Sequence, residues 1–156
     1  MKNKKFGLLV LFYCLATNGY ANNDIHMVKN NHEIKWLDMP NSAAKYIVVA
    51  GDPKKEDYFV VRVKFPANYS IAPHYHNHYE YDTVIAGSCY IAKGKIHKKE
   101  NGLLATAGTF VSIPPHLVHY GWSGSEGAVI QISGMGPWKP IIYNKQNNKK
   151  NEMNGV

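Results

Sequence analysis

The chain has 156 residues, 45% of them hydrophobic, a formal charge of +7 and two cysteines. That length is enough for one domain with a core of its own. Two cysteines, one of them inside an apolar N-terminal run, exclude a disulfide-stapled scaffold. The charge comes with no nucleic-acid motif and no long basic helix, which excludes a nucleic-acid binder.

In chain order, Lys2, Lys4 and Lys5 precede an apolar run from Phe6 to Ala16, and Gly19-Tyr20-Ala21 offers small residues where a signal peptidase inspects them. Residues 1–21 are expected to be a bacterial signal peptide, too short and wrongly flanked for a stable membrane span, which predicts a periplasmic or secreted protein. Cleavage after Ala21 removes Cys14 and leaves Cys89 as the single thiol. It also takes three lysines, so the +7 of the whole chain falls to an ordinary +4. Residues 22–45 form a leading arm, extended from Asp24 to Met39, with Trp36 and Leu37 as its packing anchors.

From residue 46 to residue 143, short β-branched and aromatic runs alternate with Gly, Pro and Asn turns, the pattern of an all-β sandwich or barrel. The predicted strands are Lys45 to Ala50, Tyr58 to Phe65, Ile71 to Tyr75, Glu80 to Ala86, Cys89 to Ala92, Thr109 to Ile113, Val118 to Trp122 and Ala128 to Ser133. Pro66-Ala67-Asn68-Tyr69 and Ala86-Gly87-Ser88 read as turns at the ends of hairpin strands. The run Lys93 to Lys99 reads as a solvated basic loop leading to a turn at Asn101-Gly102. Residues 144–156, rich in Asn and Lys, hold too little apolar surface to order and are expected to be a disordered tail.

The densest chemistry lies in Pro73-His74-Tyr75-His76-Asn77-His78-Tyr79-Glu80 and, 39 residues beyond Glu80, at His119. Imidazoles at i and i+2 share one face of a strand. Three imidazole nitrogens and one carboxylate suit a divalent transition ion better than calcium or magnesium, which prefer oxygen shells. His74, His76, Glu80 and His119 are therefore the candidate metal ligands. His78 is a spare that falls in the turn before Glu80. His116 either lines the barrel mouth as a proton shuttle or is an exposed loop residue. Asp82 shares the face of Glu80, and Tyr75, Tyr79, Tyr90, Tyr120 and Trp122 read mainly as barrel packing. Trp138 is a plug or lid anchor, and Cys89 a buried, inert strand residue.

These segments resemble the two motifs of the cupin superfamily, the RmlC-like jelly rolls. Asn68, His74, His76, Glu80 and Gly87 stand in register with the first motif, Asn68 replacing its leading glycine. Gly108, Pro114 and His119 match the second, with His116 and Ser123 where Gly and Asn are usual. The lead-in Gly51-Asp52-Pro53 and the exit Gly134-Met135-Gly136-Pro137-Trp138 are similar to those of small exported bacterial single-domain cupins. The resemblance implies a single-domain double-stranded β-helix over residues 46–143 and one divalent metal ion: iron, manganese, nickel, copper or zinc. It implies a homodimer exchanging the strand around Ile34 to Leu37, and reactions ranging over dioxygenases, isomerases, lyases and decarboxylases beside non-catalytic binders.

The expected function is an exported metal-dependent enzyme, dioxygenase- or lyase-type, acting on a small organic substrate, with His116 or Tyr120 as its acid or base. The alternative is a non-catalytic periplasmic module that binds a metal or a small ligand.

Overall fold

The structure is a computed structural model and describes Met27 and residues 34–144. The expected signal peptide, Cys14, nearly half of the arm and nearly all of the tail lie outside the described residues. The strands are β1 (Leu37–Asp38), β2 (Lys45–Ala50), β3 (Tyr58–Phe65), β4 (Ser70–Tyr75), β5 (Glu80–Lys93), β6 (Leu103–Thr106), β7 (Phe110–Ile113), β8 (His119–Met135) and β9 (Ile141–Ile142). A 3₁₀ turn, Lys99–Asn101, ends the basic loop. Among the described residues no helix is long and apolar enough to cross a membrane.

Antiparallel pairing links β1-β2-β3-β8-β4-β9, while β5 pairs with β6, β7 and β8. The two long strands, β5 and β8, run alongside each other from Glu80↔Gly134 to Lys93↔His119 and curl the sheet on itself. Alternation decides what faces inward. On β3, Phe59, Val61 and Val63 are at most 1% exposed, and Val84, Ile130 and Ile132 meet them from β5 and β8. Burying each such side chain contributes about 1.5–3 kcal/mol, so this layer is the main source of stability.

The strands and the arm depart from the sequence pattern at four places. Ala86-Gly87-Ser88 is not a hairpin turn; it lies inside β5, where the register against β8 shifts between Val84 and Ala86 and again between Gly87 and Cys89. A left-handed glycine is the mark both of a turn and of a β-bulge, and the sequence pattern does not separate them. Val118 to Trp122 and Ala128 to Ser133 are one strand, joined through Ser123–Gly127, where serines and glycines hide the alternation. Leu103–Thr106 and Ile141–Ile142 are strands that the pattern does not show, because each is short and flanked by polar turns. The Leu37 side chain is 54% exposed, and the residue joins the sheet through its β1 pairing with Tyr46; Trp36 is half-buried under the Lys64 ammonium, 5.9 Å from its ring centre.

The bend of the two long strands depends on close backbone approach. Gly87 has φ +70°, and a Cβ there would lie 2.2 Å from the Gly127 carbonyl oxygen. Gly108 has φ +90° with open space where its Cβ would be. Gly87→Ala is therefore expected to lose on the order of 3 kcal/mol, and Gly108→Ala only the backbone strain of about 1 kcal/mol. Urea unfolding measures both; equal losses would show that the bend does not need the glycine contact.

Candidate metal centre

His74 lies on β4 directly opposite His119, the first residue of β8. His76 follows β4 with the same parity, so all three imidazoles turn to the buried side, each at most 8% exposed. Ring centres are 4.2 Å apart for His74 and His119, 5.0 Å for His74 and His76, and 5.5 Å for His76 and His119. One nitrogen from each lies within 4.8 Å of the other two.

Backbone carbonyls set the tautomers. His74 Nδ1 donates to Ala72 O at 2.7 Å and His119 Nδ1 to Leu117 O at 2.9 Å, which leaves the Nε2 lone pair of each free. His76 is buried, and neither ring nitrogen makes a well-aligned hydrogen bond. Burial lowers the His74 pKa to about 4 and the His76 pKa to about 3, the neighbouring imidazoles adding to the effect; burial lowers that of His119 too. Near neutral pH the cluster is three uncharged imidazoles, with the Nε2 lone pairs of His74 and His119 unengaged by the backbone and a nitrogen of His76 close by, a donor set that suits a cation between them.

Glu80 opens β5 beside this cluster. Its Oε2 is 3.1 Å from His76 Nε2 and accepts a hydrogen bond of 2.6 Å from the Trp138 indole N–H. Two donors at about 2.1 Å from one ion, at a right angle, are about 3 Å apart, so the 3.1 Å separation fits neighbouring ligands of one ion. Glu80 is nevertheless not part of the three-histidine cluster itself. Burial raises its pKa to about 7, against the lowering effect of the Trp138 bond, and the Asp82 carboxyl two residues on is also pushed well above the usual range by burial and by Glu80. The orphaned His76 nitrogens and the free Nε2 lone pairs fit a divalent transition ion held by His74, His76 and His119, with Glu80 at its margin.

The ligands open onto a cavity of about 490 Å³, within the usual range for small-molecule sites. Val63, Phe65, Ile71, Ile113, Ile130 and Ile132 make its wall mostly apolar, and Asp82, Cys89 and Tyr120 also reach it. Cys89 is 2% exposed, and burial beside Asp82 raises its thiol pKa to about 11, so it stays protonated.

The other sequence-derived candidates separate. Tyr120 lines the cavity, but its hydroxyl proton is committed to Lys98 O at 2.9 Å. The His116 ring is exposed and does not line the cavity; its backbone N–H instead donates to His76 O at 2.8 Å. His78 is exposed. Asn68 and His116, which replace glycines of the resemblance, both keep the left-handed backbone at φ +55° and +61°. Ser123 clamps its turn, donating to Pro66 O at 2.5 Å and accepting from Tyr69 N at 2.8 Å. The bond between Trp138 and Glu80 had no sequence signal, since 58 residues separate the two.

No protein-family model matches the sequence, and no curated protein is similar to it. Solved structures are similar in fold. The structure of KdgF from a Halomonas species superposes with a TM-score of 0.54 at 23% identity, over 68% of this chain and 90% of that one. An RmlC-like cupin from Shewanella frigidimarina gives 0.56 at 17% identity, over 73% and 94%. A structure described with the DMSP lyases RdDddP and RnDddQII gives 0.54 at 14% identity, over 65% of this chain and 53% of that one. The curled antiparallel sheet closed by β5 and β8, together with these likenesses, gives the chain the double-stranded β-helix fold of the cupin superfamily.

Proposed function

We propose that this protein is an exported metal-dependent enzyme acting on a small organic substrate, and that its reaction is of the oxygen-using type. The observation that carries the reading is the cluster of three neutral, buried histidines on the wall of an apolar cavity large enough for a substrate. A divalent transition ion held there supplies Lewis acidity and exchangeable positions for substrate and dioxygen. His74, His76 and His119 hold it, with Glu80 as the fourth group. The apolar wall excludes water and seats the carbon skeleton of the substrate.

The acid–base inventory favours oxygen chemistry over elimination. The Tyr120 hydroxyl is tied to a backbone carbonyl and the His116 ring lies outside the cavity, so neither is free to move a proton at the substrate. A lyase is the second reading, supported by the buried Asp82 carboxyl on the cavity wall and by the likeness to the structure described with DMSP lyases. The lysine-led apolar leader supports export to the periplasm or beyond.

The test is turnover by the iron-, manganese- or nickel-loaded protein on a panel of 1,3-diketones, catechols, thiols and hydroxy acids, with and without air. Oxygen uptake that disappears in His119→Ala is the expected result. Turnover under argon would move the assignment to the lyase, and tight ligand binding without turnover would replace the enzyme by a binding module.

A further inference from the structure

The indole of Trp138 both packs on the histidine cluster and grips Glu80. Its backbone is pinned on either side: Gly136 N–H donates to Asp57 O at 2.8 Å, Trp138 N–H to Pro53 O at 2.7 Å, and Tyr143 N–H to Pro73 O at 2.8 Å. Beyond it, Ile141–Ile142 pairs with the strand that carries His74. The ring lies nearly parallel to His76 with centres 6.1 Å apart, and tilts against Phe59 at 5.8 Å. An indole N–H is a donor only, and here it reaches the one Glu80 oxygen that also lies 3.1 Å from His76 Nε2. The three histidine nitrogens gather within 4.8 Å while Glu80 stays outside that group.

We propose that Trp138 is a positioning residue for the metal centre: its N–H occupies one lone pair of Glu80 Oε2 and holds the carboxylate beside His76. The carboxylate is thereby kept from chelating the ion through both oxygens, and a position remains open to an outside ligand. Specificity for exogenous ligands then depends on a residue contributed by the C-terminal segment rather than by either histidine strand. The inference rests on the metal-site reading above.

Cobalt(II) and sodium azide are the probes. Trp138→Phe keeps an aromatic ring against His76 and Phe59 but deletes the donor. The variant is expected to show a changed visible cobalt spectrum as Glu80 chelates the ion through both oxygens, and to bind azide about tenfold more weakly. In a Glu80→Ala background the same substitution is expected to change neither reading, which separates the hydrogen bond from ring packing. Identical spectra and azide affinities in wild type and Trp138→Phe would overturn the proposal. A wild-type protein that takes up no cobalt would overturn the metal-site reading itself, a different failure.

A measurement on the wild-type chain covers the case in which Trp138→Phe does not fold. Of the three indole N–H signals in a ¹⁵N spectrum, one is expected far downfield and shifting when zinc is added. That signal should move upfield in Glu80→Ala. Three signals indifferent to zinc would also overturn the proposal.

Discussion

Replacing His119 by alanine is expected to abolish metal uptake and with it the stabilisation that a divalent ion gives the fold. An ion that binds only the folded state stabilises it by about 2.7 kcal/mol at a hundred times its dissociation constant. For a domain of this size that is a rise of roughly 10 °C in melting temperature. His119 supplies one of three imidazole nitrogens gathered within 4.8 Å and opposes His74 directly across the sheet. Its removal leaves two imidazoles that do not by themselves enclose an ion. Thermal unfolding with and without zinc measures the effect. The wild type is expected to show the rise, and His119→Ala to show no zinc-dependent shift. His116→Ala is the control: its ring is exposed and away from the cavity, so the zinc shift should persist. A full shift in His119→Ala would place the ion elsewhere.

The difference between His119 and His116 also shows what the sequence made legible. His74 and His76 were readable because strand periodicity alone puts i and i+2 on one face, and the structure turns both inward. The inward faces of β3 and the last part of β8 were readable for the same reason. What escaped was whatever depends on long-range geometry. A bulge and a turn both use a left-handed glycine, so Gly87 did not declare that β5 continues through it. Ser123–Gly127 carries no alternation, so the unity of β8 was hidden. His116 drew attention by its ring, but its contribution to the site is a backbone N–H to the His76 carbonyl, available because its backbone is left-handed. Tyr120 has the chemistry of an acid, but its hydroxyl is satisfied by Lys98 O. Composition and spacing report which groups are present; they do not report which of those groups are already occupied.

Occupancy by protons decides the second large effect. Zinc affinity is expected to rise about tenfold per pH unit from pH 5 to 7 and then level off. The slope follows from which ligands must lose a proton. His74 and His76, with pKa values lowered to about 4 and about 3, are neutral throughout that window and release nothing; His119 is lowered in the same direction. Glu80 is raised by burial to about 7, so below pH 7 it is protonated in the metal-free protein and must give up that proton to face a cation. One proton displaced per ion gives one decade per unit, about a hundredfold over two units, and no further gain once Glu80 is already ionised. The stability of the metal-free protein is a poorer readout. Histidines with lowered pKa values lose stability as pH falls from 6.5 toward 4, whereas Glu80 loses it as pH rises from 4.5 toward 7, so the two trends oppose each other. Zinc titrations by competition with a fluorescent chelator at pH 5, 6, 7 and 8 make the comparison directly. In Glu80→Gln the same titrations are expected to give a nearly flat profile. A steep profile in that variant would assign the proton to a histidine, and a flat one in the wild type would mean that Glu80 never ionises to meet the ion.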